Sequence, residues 1–200
     1  MARYTGPKRR LSRREGIALF AKDAKALERK GAVPPGQHGL GRRRRVSEYG
    51  LELREKQKAK RFYGILEKQF KRYFQKAAKV KGATGLSLIR LLETRLDNTV
   101  YRLGFAKSRA QARQLVSHGH VTVEGKKVNI PSYQIKVGQT IALLPKLSDN
   151  TQVLKNLADQ ETLPGWLERK ATLGKVLRLP EREEMEQAID EQLIVEYYSR

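Results

Sequence analysis

The sequence predicts an α+β protein: an irregular N-terminal arm, a helical domain, and a small α/β module of two helices packed on a short, mostly antiparallel sheet. Three observations carry this. Apolar residues recur at helical spacing between Ser47 and Leu103. The stretch Lys107 to Ile130 passes from a capped helix into a hairpin, and cations crowd the first two thirds of the chain. Lys and Arg number 42 against 21 Asp and Glu, a formal net charge of +21, which points to a polyanion: nucleic acid or an acidic membrane surface.

The charge is uneven. Residues 1–81 hold 25 cations and 7 acids, residues 82–145 hold 9 and 3, and residues 146–200 hold 8 and 11. The polyanion is therefore expected along the first two thirds, and the last third is expected to face the rest of the protein or other proteins. A length of 200 residues with 39% hydrophobic content allows one or two packed domains. Cysteine is absent, which excludes disulfides and thiolate metal sites and is compatible with a reducing cytoplasm. Three histidines make a poor metal set, so no metal and no cofactor are expected. With no run of 18 apolar residues and no apolar signal-peptide core, a soluble, non-secreted protein is expected.

Residues 1–46 read as an irregular arm with one short helix over 17–29, built on Ile17, Phe20, Ala24 and Leu27. Arg3, Tyr4, Lys8, Arg9, Arg10, Arg13 and Arg14 surround Gly6-Pro7, a structure breaker. After the Pro- and Gly-rich run VPPGQHGLG come Arg42, Arg43, Arg44 and Arg45. Four adjacent arginines repel one another unless phosphates lie beside them. The segment is expected to fold on binding RNA, the alternative being a disordered basic tail or a targeting signal.

Ser47 is placed to cap a helix in which Tyr49, Leu53 and the stems of Lys56 and Lys60 line up, with Arg54, Lys56, Lys58, Lys60 and Arg61 as a basic surface. Gly64 separates it from a second helix. There Leu66, Phe70, Tyr73, Phe74 and Ala77 form the apolar stripe opposite Lys68, Lys71, Arg72, Lys76 and Lys79. Residues 82–85 read as a linker. One helix is expected from Leu86 to Leu103, in which Arg95 and Asp97, two apart, do not face each other.

The next stretch is the most informative. Ser108 with Gln111 three residues on is a capping box; Ala112, Leu115 and Val116 share the inward face, and Arg109 and Arg113 share another. Gly119 stands where a left-handed cap is wanted, and Glu124-Gly125 supplies the turn between Val121–Val123 and Val128–Ile130. His118 and His120 flank that glycine, suited to stacking on bases or meeting phosphate. Ser108, Gln111 and Gln114 complete the candidate RNA contacts. Further on, Ile141–Leu143 suggests a strand, Val153-Leu154 looks strand-like, and Pro164-Gly165-Trp166 looks like a corner with Trp166 packed on the core. Residues 182–198 should start as an acidic helix and end on a buried apolar strip.

MARYTGPK at the start, PPGQHG near residue 36, EYGLELREKQKAK at 48–60, SRAQARQLVSHGHVTVEGKKVNIPSY at 108–133 and EQLIVEYYSR at the end closely resemble the bacterial-type small-subunit ribosomal protein family called S-four. The resemblance implies a basic arm at 1–46, a helical domain at 47–89 completed by 181–200, and an inserted RNA-binding domain at 90–180 with its core near 90–150. It also implies a structural, non-catalytic constituent of the small subunit that binds ribosomal RNA early, at a junction in the 5′ domain, and nucleates assembly. Implied partners are small-subunit ribosomal RNA, neighbouring proteins including the fifth, and messenger RNA near the channel through which it enters. A contribution to decoding accuracy and a cytoplasmic place follow, with an organellar ribosome left open. Many relatives hold zinc through arm cysteines; this chain resembles the zinc-free branch. The rivals are a free RNA chaperone and an RNA-modifying enzyme. Against the enzyme, Arg95-Leu96-Asp97 only superficially matches the pseudouridine synthase box, and neither a nucleophile–base set nor a phosphate-cradling loop is present.

Overall fold

A helix starts at the first proline. The computed structural model describes residues 4–31, 33–41, 45–148, 151–159 and 163–200, and places α1 over Lys8–Glu15. Pro7 caps it with φ −67°, since the ring fixes the torsion that a helix start requires, and Gly16 closes it in the left-handed region at φ 73°. The irregular chain expected around Gly6-Pro7 is thus corrected to a helix. A 3-10 turn at Ala21–Asp23 leads into α2 at Ala24–Lys30. Then follow α3 Glu48–Phe62, α4 Glu67–Ala77, α5 Thr84–Glu93, α6 Leu96–Arg102, α7 Arg109–Ser117, β1 Val121–Val123, β2 Lys126–Lys127 and β3 Thr140–Leu143. The series closes with α8 Pro145–Ser148, α9 Thr151–Asp159, β4 Leu167–Lys170, β5 Leu173–Val176 and α10 Glu191–Ser199.

These elements fall into two compact units, Met1–Gly85 with Ala188–Arg200, and Leu86–Gln187. In the first, α3 packs on α10. Ser47 caps α3 by accepting from the Gly50 amide, and Gly64, at φ 65°, separates α3 from α4. Of the stripe of Tyr49, Leu53, Lys56 and Lys60 that periodicity suggests, α3 buries only Lys56, and Tyr49 is left exposed. Its other buried residues are Glu52, Glu55 and Ala59. Most of the α4 stripe goes inward: Phe70, Tyr73 and Ala77 are buried and Phe74 half-buried, while Leu66, at the N-cap, is exposed. Ile189 and Ile194 from the C-terminal segment are buried too, and Tyr198 stacks on Phe74 with ring centres 4.6 Å apart.

In the second unit the helix expected over Leu86–Leu103 is two helices. The hydroxyl of Thr94 donates to the Arg90 carbonyl, and Arg95 turns extended at ψ 140°. The segment 131–135 takes over the freed backbone. Leu96 N–H donates to Tyr133 O, Asp97 N–H to Pro131 O, and Ile135 N–H to Thr94 O. The break brings Arg95 and Asp97 face to face, Nε to Oδ1 at 2.9 Å and Nη2 to Oδ2 at 2.6 Å, both buried. The sheet is five-stranded and antiparallel throughout, in the order β2-β1-β3-β5-β4. Its core joins Leu96, Val100 and Leu103 of α6 and its end, Ala112 and Val116 of α7, Val121, Val123, Ile141 and Leu143 of the strands, and Trp166. Trp166 is fully buried and anchors the corner, as its flanking Pro and Gly suggest. Val153-Leu154 is helix, not strand: Val153 and Leu157, one turn apart, both meet this core. Residues 182–190 make a 3-10 turn and then irregular chain before α10, so the acidic segment is not one helix.

Candidate nucleic-acid interface

The turn from α7 into β1 forms from local signals. Ser108 Oγ accepts from Gln111 N–H at 3.3 Å, while the Gln111 carbonyl oxygen reaches back to Lys107 N–H at 2.9 Å, one residue outside a standard capping box. At the other end Gly119 takes φ 70°; its N–H meets Val116 O and the His120 N–H meets Leu115 O, which satisfies the last carbonyls. His118 is exposed and His120 half-buried, their rings 6.0 Å apart. The stem of Lys127 lies over Gly119, where a Cβ would come within 2.3 Å of its Cε. Glu124 and Gly125, at φ 49° and 73°, make the left-handed pair of a tight hairpin. The Glu124 carboxylate accepts from the Thr140 backbone and hydroxyl, which hold its pKa below the ordinary value.

Gln114 is exposed beside this turn and Arg113 half-buried, but Arg109 is not the outward cation its spacing suggests. Its side chain is 16% exposed, its Nε donates to Asn98 Oδ1 at 2.7 Å, and its guanidinium sits 4.6 Å from the centre of the Tyr101 ring. Exposed Lys127 beside this turn, Lys126 next to it on β2, and Lys107 ahead of the α7 start escaped the sequence reading. Lys127 pairs across the hairpin with Thr122, so its place beside Gly119 depends on strand register.

The cations of α3 are turned onto carboxylates. Arg54 and Arg61 converge on Glu15 of α1, whose side chain is 1% exposed. Burial raises the Glu15 pKa, against the pull of Arg61 and Arg54. Lys56 Nζ lies 2.9 Å from Glu67 Oε1 and 4.5 Å from the centre of the Tyr197 ring, with its side chain 4% exposed. Lys60 takes the other Glu67 oxygen at 2.9 Å, and Lys58 binds Glu55 at 2.6 Å and the Ala188 carbonyl at 2.9 Å. Burial would raise the Glu67 carboxyl, but hydrogen bonds from Lys60, Lys56 and Tyr198 bring it down to about 2. Burial, and then the same carboxylate, push the Tyr198 hydroxyl above its usual range. Arg54, Lys56, Lys58 and Arg61, expected as a basic surface toward phosphate, thus each lie against a carboxylate, with Glu15 and Glu67 each shared between two cations.

On α4 the cations Lys68, Lys71, Arg72 and Lys76 are exposed at helical spacing, Lys79 is exposed in the turn that follows, and no carboxylate of the described residues pairs with them. On α1, Lys8, Arg9, Arg10 and Arg14 are exposed, Arg9 standing 3.9 Å from Asp23. Arg13 instead donates to the carbonyls of Val33 and Pro34 at 2.8 and 3.1 Å, and buried Ser12 donates to Asp23 at 2.5 Å. Tyr4 and Arg45 are exposed, while Arg3, Arg42, Arg43 and Arg44 lie outside the described residues.

A cation-lined α/β module and a basic helical unit in one chain define a nucleic-acid-binding protein. Residues 3–93 match the family described as ribosomal protein S4/S9 N-terminal domain, and residues 94–141 match the S4 domain. The chain is 56% identical over 207 residues to small ribosomal subunit protein uS4 of Dictyoglomus turgidum, and 54% identical to the proteins of that name from Natranaerobius thermophilus and Chloroflexus aurantiacus. In each case all of both chains is covered. The chain belongs to the small ribosomal subunit protein uS4 family, whose members are ribosomal proteins and not enzymes.

Proposed function

We propose that this protein is a primary RNA-binding constituent of the small ribosomal subunit, docking on a junction in the 5′ domain of its ribosomal RNA. The observation that carries the reading is the unpaired cation row of α4, which stands out because the equally basic α3 has turned its charge inward. A row of cations one turn apart, about 5–6 Å, follows a phosphate backbone, and the release of counterions drives the docking. The turn with exposed Gln114, His118 and Lys127 and half-buried His120 then meets single-stranded or junction nucleotides by shape, stacking and hydrogen bonding. Early docking by such a surface nucleates assembly. The protein would lie beside the fifth small-subunit protein and near the channel through which messenger RNA enters, contribute to accuracy, and reside in the cytoplasm on the ribosome.

The test compares binding to the 5′ domain of small-subunit ribosomal RNA with an equally long, unrelated structured RNA at two salt concentrations. A preference of about a thousandfold that survives the higher salt is the expected result, the usual margin of a specific nucleic-acid binder over its non-specific mode. Equal binding that collapses together with salt would return the free-chaperone reading.

A further inference from the structure

Around the start of α7 the side chains close a ring. Asn98 Nδ2 donates to the Glu93 carbonyl at 2.9 Å and to Glu93 Oε2 at 2.6 Å, so both its N–H groups are engaged. That fixes which end of the amide faces Arg109: the oxygen, which accepts from Arg109 Nε at 2.7 Å. Glu93 is fully buried and also takes the Arg102 fork, at 3.0 and 2.8 Å. Glu186 completes the circuit, 3.8 Å from Arg109 and 4.0 Å from Arg102. Two guanidiniums face two carboxylates, so the ring balances its own charge and leaves Arg109 little call for a phosphate.

Arg109 is the first residue of α7. The helix's opening bonds, Gln111 N–H to Ser108 Oγ and Ala112 N–H to Ser108 O, begin beside it. Anchoring its guanidinium between Asn98, Tyr101 and Glu186 fixes where α7 starts and which way its exposed residues point. A helix held this way presents its polar groups without an ordering cost on binding.

We infer that Arg109 is a strut and not a phosphate contact, and that Asn98 and Glu93, deep in the module, are positioning residues for RNA recognition by α7. The inference rests on the RNA-binding reading above. It separates sharply from a charge role, because lysine keeps the charge of Arg109 but cannot fork or stack as guanidinium does.

The experiment uses the full chain and the 5′ domain RNA. Arg109→Lys and Asn98→Ala should each weaken binding about tenfold, the scale of one charge-assisted hydrogen bond. Both should leave the dependence of affinity on salt unchanged. In the free protein, amide exchange at Gln111 and Ala112 should quicken in both variants, reading the strut without RNA and without unfolding. Normal affinity for Arg109→Lys, with a salt slope flattened by about 0.7–0.9 in Arg109→Ala, would make Arg109 a phosphate contact and overturn the strut. Unchanged amide exchange in Asn98→Ala would overturn it as well. Arg72→Gln is the control for the underlying reading: if it leaves the salt slope unmoved and the wild-type chain shows no preference for the 5′ domain, RNA recognition has failed, and the positioning role with it.

Discussion

Helices α3 and α4 are neighbours in sequence and similarly basic, yet their cations have opposite fates. Arg54, Lys56, Lys58, Lys60 and Arg61 each meet a carboxylate: Glu15, Glu67, Glu55, Glu67 and Glu15 in turn. Lys68, Lys71, Arg72 and Lys76 meet none among the described residues. Both helices bury one face, but α4 buries aromatics and α3 buries Glu52, Glu55 and Lys56. A buried charge demands a partner, so α3 draws counter-charges from α1, from the start of α4 and from residue 200, where Arg200 binds Glu52 at 2.7 Å. The number of cations in a sequence thus overstates the charge a polyanion meets. What matters is which cations have already been neutralised by the fold.

Three changes and one titration probe this contrast, in descending size. Replacing Lys68, Arg72 and Lys76 together by Gln should flatten the salt slope by about 2 units and weaken RNA binding roughly a hundredfold near physiological salt. The melting temperature should barely move; a stable but tightly binding triple variant would break the distinction. Glu15→Ala should cost about 2 kcal/mol in denaturant unfolding, because it leaves Arg54 and Arg61 half-buried around a lost carboxylate. Affinity per folded molecule should hold or rise, since two cations are released. Lys56→Met should cost about 1 kcal/mol and leave the salt slope intact, as expected of a cation buried against Glu67 and the Tyr197 ring. If the slope flattens, Lys56 is a contact after all.

The titration concerns Glu67. Its pKa in the folded protein, about 2, lies below the unfolded value, so its stabilisation is present above about pH 4.5 and is lost as pH falls toward 2. Its side chain is 45% exposed, and solvent screening limits the effect to about 1 kcal/mol. Glu67→Gln should therefore converge with the wild type in urea unfolding at pH 2 and separate from it above pH 5. Glu15 has the opposite sign: burial raises its pKa, so its ionisation opposes folding as pH rises from 4.5 through the folded value. An acid-unfolding curve for Glu15→Gln should diverge in the other direction.

Local signals were legible, and long-range ones were not. The Ser108 cap, the Gly119 stop and the Glu124-Gly125 turn are each set within four residues, and each stands where spacing predicts. So does the inward stripe of Phe70, Tyr73 and Ala77. The break at Thr94-Arg95 could not be read, because its cause is backbone from 131–135, about forty residues away. Without that break Arg95 and Asp97 look like strangers on one helix. Val153-Leu154 is short, apolar and β-branched at one position, a pattern that periodicity alone cannot divide between strand and helix. In the candidate interface Gln114 and His118 were found and Lys127 was missed, whereas the inward fate of Arg54, Lys56, Lys58, Arg61 and Arg109 depends on carboxylates and an amide brought in by the fold.

The split unit has a consequence for how the chain is born. Residues 86–187 have all the material of their own unit as soon as they emerge in synthesis, while Met1–Gly85 must wait for Ala188–Arg200. Until then the acidic face of α3 lacks Arg200, Lys56 lacks the Tyr197 ring, and Glu67 lacks the Tyr198 hydroxyl. A chain released early would carry a finished insert on an unfinished base, and its apolar seam would remain open to proteases and chaperones. Tyr197 and Tyr198 of α10 are among the groups that close the unit.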